Sequence, residues 1–266
     1  MALRDALGTL HAPAGDTARI VSLVPSITEL ACELGLAGSL VGRTGFCIHP
    51  REVVRRIPKV GGTKDVDLEK IRALRPSHVI LNIDENERPL ADALAKFVPN
   101  LVVTHPLGPA DNPALYRLIG GVFGRRSEAE ALCVRFGVAL AAASAATWPR
   151  RDVLYLIWRN PWMAVSRDTY ISRTLALFGL RTLPVAAQSR YPEISLDAPF
   201  VRDACLVLLS SEPYAFRKKH VEDLSRRLEL TGKPILLIDG EMTSWYGSRA
   251  IAGLGYLRRF VAALPA

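Results

Sequence analysis

The segment Trp158-Arg159-Asn160-Pro161-Trp162 places two indoles and a guanidinium directly after an apolar run, Val153 to Ile157. Aromatic faces stack on flat rings, and an arginine fork holds a carboxylate or phosphate through paired hydrogen bonds. The pairing recurs at Phe216-Arg217. Carboxylates join it at Glu212 and in the run Asp239 to Tyr246, which holds Glu241, Trp245 and Tyr246. The first half of the chain supplies Phe46 and His49 in one loop and Glu85 and Asn86 in another. Together these residues suit a large flat ligand held by stacking and by Arg159 and Arg217. Such binding needs no catalytic residue and no resident cofactor.

Two other chemistries compete for the same residues. His49, His105, His220 and Asp239 form an alternative set for a bare zinc or manganese ion, since imidazole and carboxylate suit both metals. No HxH or HxxxH spacing supports it; His105 otherwise reads as a strand-end residue and His220 as a solvated helix residue. Glu212, His220, Asp239 and Glu241 are the acid–base groups of a cytoplasmic enzyme reading. Against catalysis, the chain has no nucleophile elbow, P-loop or G-x-G-x-x-G fingerprint.

The loops that carry these residues must be presented by a frame, and its centre is a long helix from Ser127 to Trp148. Glu130 stands three residues after Ser127, the spacing of a capping box. Ala129, Leu132, Cys133, Phe136, Ala139, Leu140 and Ala143 give one apolar face at helical period, and Pro149 ends the run. Alternating strands and helices precede it. Strands are expected at Arg19 to Val24, Leu40 to Gly42, His78 to Leu81 and Leu101 to Thr104. Ser26, Asp67 and Asn112 are expected helix caps, and Gly35 and Gly124 helix stops. The block after the helix repeats the plan, with strands Val153 to Trp158, Cys205 to Leu209 and Pro234 to Ile238. Its helices run from Thr169 to Phe178, from Asp197, around His220 to Leu228, and from Ser248 to Leu264. In βα units ligands bind beyond the carboxyl ends of the strands, and there the residues above fall. The paired glycines Gly61-Gly62 suit a close backbone approach. The expected organisation is an N-terminal α/β lobe at 19–111, linking helices at 112–149 and a C-terminal α/β lobe at 150–266.

The apolar share of 49% is enough for two real cores. No apolar run nears the ~20 residues of a membrane span. Met1 to Ala18 reads as a loose leader without a secretory core, broken by Arg4, Asp5, His11, Pro13 and Asp16; the expected compartment is the cytoplasm, or the periplasm if the true start lies elsewhere. The net charge of +8 is spread over scattered basic pairs rather than one stripe, which argues against nucleic acid. Cys32, Cys47, Cys133 and Cys205 form no CxxC pair. Cys32, Cys133 and Cys205 read as small core residues, and all four as free thiols.

Arg19 to Glu29 (RIVSLVPSITE), Val60 to Pro76 (VGGTKDVDLEKIRALRP), the strand His78 to Leu81 and the linking helix together resemble the helical-backbone substrate-binding proteins of ABC importers. The resemblance is strongest to the cobalamin-binding receptor branch and spans Arg19 to the C-terminus. It implies two α/β lobes joined by one long stiff helix, a ligand cleft between the lobes, and an ABC permease as a candidate partner. It also implies that Phe46, Trp162 and Trp245 match cleft aromatics, whereas Lys64 and Asn82 stand where the receptors carry further ones. Glu85, Glu87, Glu212 and Glu241, with Arg159 and Arg217, point to a more polar ligand. The expected cargo is a metal chelate, a cobalt corrinoid first and a ferric siderophore second.

Overall fold

The computed structural model describes residues 3–15, 17–63, 65–227, 230 and 232–265. Lys64 and Leu228, the expected end of the helix around His220, lie outside the described residues. The chain forms two compact units with two separate sheets.

Unit 1 takes the chain up to Pro106, Ala110–Phe136 and Tyr246–Arg249. Its strands β1 (Ile20–Ser22), β2 (Leu40–Arg43), β3 (His78–Asn82) and β4 (Asn100–Thr104) are all parallel, in the order β2-β1-β3-β4. Every residue of β1 and β3 is buried, as expected of strands covered on both faces. Helices α1 (Pro25–Glu33), α2 (Arg51–Val54), α3 (Leu68–Leu74), α4 (Arg88–Leu94) and α5 (Asn112–Val122) connect and extend them. Asp67 caps α3, accepting from the Lys70 amide at 3.0 Å. Gly35 and Gly124 follow α1 and α5 at φ +76° and +69°, the left-handed stop that glycine adopts without strain.

Other caps differ from expectation because longer-range partners outbid the local ones. Val24, not Ser26, is the N-cap of α1, and Glu29 forms a fork with Arg249 at 2.6 and 2.8 Å. Asn112 lies inside α5, where its side-chain oxygen accepts from the Gly247 amide at 2.7 Å.

The long helix α6 (Arg126–Ser144) is continuous, its residues through Phe136 in unit 1 and the rest in unit 2. Ala129, Leu132, Phe136 and Ala143 are buried and Cys133, Ala139 and Leu140 half-buried, the stripe expected. Its ends are not where the capping box and Pro149 placed them. Ser127 lies within the helix, its hydroxyl on Glu128 at 2.9 Å, while Glu130 pairs with Arg117 at 2.6 and 2.8 Å. The helix stops four residues short of Trp148, whose indole N–H donates to the Ala143 carbonyl at 3.1 Å. Trp148 packs on Phe178, ring centroids 5.6 Å apart.

Unit 2 takes Leu107–Pro109, Gly137–Trp245 and the chain from Ala250 onward. Strands β5 (Arg151–Trp158), β6 (Met163–Ala164), β8 (Leu206–Ser210) and β9 (Ile235–Ile238) follow the order β6-β5-β8-β9, and β7 (Leu180–Leu183) also pairs with β5. All pairs are parallel except β5 with β6. The helices are α7 (Tyr170–Ala176), α8 (Pro199–Asp203), α9 (Lys218–Ser225), α10 (Gly240–Ser244) and α11 (Arg249–Ala262), the last opening on a residue of unit 1. Thr169 caps α7, accepting from the Ser172 amide at 3.1 Å. The short helix expected from Asp197 starts instead at Pro199, with Ala198 as its cap. Cys205 precedes β8 and is exposed, so it is not a core residue; Cys47 is the buried cysteine, and all four are free thiols. Strands β6 and β7 were not expected: β6 is two residues long, and β7 follows the helix stop Gly179 without an apolar run.

The segment expected as a loose leader is built into unit 1. Arg4 and Leu10 bridge as a hairpin, and the Ala6 amide donates to the Val103 carbonyl of edge strand β4 at 2.9 Å. Asp5 is buried at its centre. One carboxylate oxygen accepts from the amides of Leu7 and Thr9, the other from the Val103 amide and from His11 at 3.1 Å. Pairing and charge on an edge strand shield a ladder that would otherwise invite another chain.

Candidate functional site

Parallel strands send their exit loops to one edge of their sheet, and each unit carries its unusual residues there. In unit 1 the loop after β2 is anchored by a buried thiol. Cys47 Sγ lies 3.1 Å from the Thr28 hydroxyl and 3.2 Å from that of Thr44. With Cys47 turned inward, its neighbours turn outward: Phe46 is 62% exposed and Ile48 48%. The glycine pair tightens the base of this loop. Gly45 donates to the Gly61 carbonyl at 2.7 Å, and Gly61, at φ +112°, comes so close to Asp65 that a Cβ would lie 2.4 Å from its carbonyl oxygen. His49 is half-buried.

After β3, Ile83 is also exposed, at 43%. Asn86 is buried, and its amide ties three segments together. Its oxygen accepts from the Asn82 amide at 2.9 Å, while its nitrogen donates to the carbonyls of Thr63 at 3.0 Å and Leu23 at 3.5 Å. Asn86 therefore shapes the loop rather than facing outward. Glu85 accepts from the Tyr246 hydroxyl at 2.5 Å. Burial, with the Glu85 charge second, raises the Tyr246 phenol well above its ordinary range. Asp84 pairs with His105 at 3.3 Å.

In unit 2 the loops after β5 and β8 build one aromatic cluster. Trp162 and Phe216 stack with ring planes 3° apart and centroids 6.1 Å apart. Trp158, 38% exposed, meets Tyr214 edge-on at 5.7 Å, and Tyr214 packs on Phe216 at 4.7 Å. Arg159 lies 5.7 Å from the Trp162 ring and pairs with Asp223 at 3.3 Å. Arg217, exposed, is the N-cap residue of α9. His220 is buried rather than solvated, edge-on to both Tyr214 and Phe216.

The loop after β9 and the start of that after β8 form a second, more polar group. Trp245 is buried; its indole N–H donates to Glu212 at 2.8 Å, and Ser244 donates to the same carboxylate oxygen at 2.6 Å. Burial raises the Glu212 carboxyl above its ordinary range, helped by the charges of Glu241 and Asp239. Asp239 caps α10 through the Met242 amide at 3.3 Å, and Glu241 is half-buried in that helix. A hydroxyl chain supports both loops: Tyr155 lies 2.6 Å from Thr243 and 3.1 Å from Ser210.

Trp158, Arg159, Trp162 and Phe216 thus come together as the sequence led one to expect. Trp245, Tyr246, Glu85, Glu212 and Asp239 instead meet protein partners. Ile48 and Ile83 were missed, although alternation about Cys47 and the end of a fully buried strand would have pointed outward. Among the described residues no group of three or more His, Cys, Asp or Glu side chains is placed to hold a metal ion. His105 is taken by Asp84, His220 by the aromatic cluster and Asp239 by its helix. No helix among the described residues is long and apolar enough to cross a membrane.

Each of the two α/β units thus carries aromatic and charged side chains at its strand exits. The model of the periplasmic binding protein family matches residues 20–233, and the chain belongs to that family. It is a binding protein, not an enzyme. A vitamin B12-binding protein of Photorhabdus laumondii is 25% identical over 197 residues, covering 72% of this chain and 70% of the relative. Among solved structures, the periplasmic vitamin B12 binding protein BtuF of Vibrio cholerae superimposes with a TM-score of 0.78 at 15% identity, over 92% of this chain and 96% of that one. The periplasmic heme-binding protein RhuT of Roseiflexus sp. RS-1, in apo form, gives 0.79 at 22% identity, over 93% and 99%.

Proposed function

We propose that the protein binds a flat metal chelate, a corrinoid or related tetrapyrrole first and a ferric siderophore second, with exposed exit-loop side chains as its contacts. The observation that carries this reading is the set of large apolar side chains left in water at those loops: Phe46, Ile48 and Ile83 in unit 1, and Trp158 beside the Trp162–Phe216 stack in unit 2. Exposed apolar clusters on otherwise polar loops mark binding surfaces. Stacked aromatics accept a macrocycle's face, and Arg159 and Arg217 supply charge for peripheral anionic groups. The names of the relatives, which concern vitamin B12 and heme, support the chelate class. The chelate is cargo rather than cofactor, and delivery to an ABC permease is the role the family favours. Native mass spectrometry and an absorption spectrum of protein purified from its own host test the reading. A bound chromophore of chelate mass is expected; protein that carries a colourless organic molecule instead would overturn it.

A further inference from the structure

The cluster after β5 and β8 is held by a residue that contributes no exposed surface of its own. His220 sits at the third position of α9 and is buried. The backbone N–H of Arg217 donates to its Nδ1 at 2.8 Å. A nitrogen that accepts an N–H carries no proton, so the neutral ring keeps its proton on Nε2. That nitrogen lies 3.3 Å from the Tyr214 hydroxyl, to which it donates. The ring also stands edge-on to Tyr214 at 5.4 Å and to Phe216 at 5.5 Å. Tyr214 in turn meets Trp158, and Phe216 stacks on Trp162. One imidazole therefore ties the N-cap of α9 to both arms of the aromatic cluster.

We propose that neutral His220 is the positioning residue of this cluster, and that adding a proton to Nδ1 breaks its bond to Arg217 and weakens ligand binding. The inference rests on the proposed chelate function and adds its regulation by pH. An imidazolium has a donor at both nitrogens, so its Nδ1–H would face the Arg217 N–H donor to donor. The charged and titratable groups facing the ring are Arg159 from the loop after β5, Tyr214 from the loop after β8, and Lys219 and Asp223 from α9. Burial, then Arg159 and Lys219, hold the imidazole below its ordinary range, with Asp223 opposing them. The ring stays neutral at neutral pH and accepts its proton only below the ordinary imidazole value.

Glutamine at this helix position can also reach back to the N-cap amide, the reciprocal arm of a capping box, without titrating. His220→Gln is thus the rescue variant and His220→Ala the loss variant. Tryptophan quenching by cyanocobalamin reads affinity from about pH 7.5 down to about pH 4.5. The wild type is expected to lose at least about threefold in affinity by the lowest pH, and His220→Gln less than about twofold. His220→Ala is expected to bind weakly throughout. A flat wild-type profile, or an equal loss in His220→Gln, overturns the proposal, the second by assigning the loss to another group such as Glu212. If cyanocobalamin quenches nothing even at the higher pH, the functional reading fails for that chelate. Ring ¹⁵N shifts of ligand-free protein then decide this one: a proton on Nε2 alone that is joined by one on Nδ1 as pH falls, with the Arg217 amide moving in step, supports it. A proton on Nδ1 at the higher pH, or an Arg217 amide indifferent to titration, overturns it.

Discussion

The indole N–H of Trp245 donates to a carboxylate oxygen of Glu212 at 2.8 Å, and Ser244 donates to the same oxygen at 2.6 Å. Trp245 is buried with its one donor in use. It also lines, with Tyr170, Met242 and Leu254, a void with no room for water. Trp245→Phe keeps most of the packing but removes one of two donors from a half-buried carboxylate, which costs about 1 kcal/mol. Urea denaturation should find that loss. An unchanged midpoint would mean that water replaces the indole at Glu212.

The surface aromatics should behave in the opposite way. Phe46→Ala removes an exposed ring, so stability should change by less than about 0.5 kcal/mol, and Trp158→Ala, which also loses the Tyr214 contact, by about 1 kcal/mol. Affinity for a chelate should fall by about 1–3 kcal/mol in each, the range for a stacked aromatic. Trp148→Ala should reverse the pattern. It loses the Phe178 contact and the bond to Ala143, lowering stability by about 2 kcal/mol, with affinity kept. Calorimetric titration beside urea denaturation distinguishes the two classes.

Two titrating groups, half-buried Glu212 and buried His220, give pH slopes of opposite sign. Glu212 is raised above its ordinary value of 4.5. Between that value and its folded one, the native state holds a proton that the unfolded chain has released, so stability falls as pH rises. His220 is lowered from 6.5. Below that value the unfolded chain takes up a proton the native state resists, so stability falls as pH drops toward the folded value. Glu212→Gln should remove the first slope and His220→Gln the second, read from urea midpoints across mildly acid pH. A variant that leaves its assigned slope intact would show that the group titrates as it does in the unfolded chain.

The thiols should react in the order of their exposure. Cys205 is exposed, Cys32 and Cys133 are half-buried and Cys47 is buried. Burial, with the Glu29 charge second, pushes Cys32 up to about 11, which slows its reaction further. Native alkylation followed by peptide mapping should label Cys205 first and Cys47 last. Denaturation without reductant should release four thiols; a Cys–Cys bond in native protein would contradict four free cysteines.

Most of the frame was legible because buried parallel strands read as continuous apolar runs. Ile20 to Ser22, His78 to Asn82 and Leu206 to Ser210 stand within a residue or two of expectation. The stripe from Ala129 to Ala143 revealed the long helix for the same reason, since burial leaves a periodic trace. Caps were less legible. Ser127 with Glu130, and Ser26 with Glu29, have the right spacing, but Arg117 and Arg249 offer those glutamates stronger charged partners from elsewhere in the chain. Spacing cannot register a competitor so distant in sequence. The same limit applies to the site. Trp158, Trp162 and Phe216 lie near their strand ends and came together as expected. His220 looked solvated because its neighbours Lys218, Lys219 and Glu222 are charged, and the rings that bury it arrive from other loops. The N-terminal hairpin was hidden because Asp5 reads as a surface charge until Val103 and His11 surround it.

The central claim, that the exit loops bind a flat metal chelate, is tested most directly by quenching of intrinsic fluorescence. Trp158 and Trp162 lie in the proposed binding cluster, so a visible-absorbing chelate seated there accepts their excitation energy. Titration with cyanocobalamin, cobinamide, hemin and a ferric siderophore should show saturable quenching by at least one. For that chelate, Phe46→Ala and Trp158→Ala should each weaken binding by roughly tenfold or more. Fluorescence that stays flat with all four chelates, or quenching that both variants leave unchanged, would contradict the account.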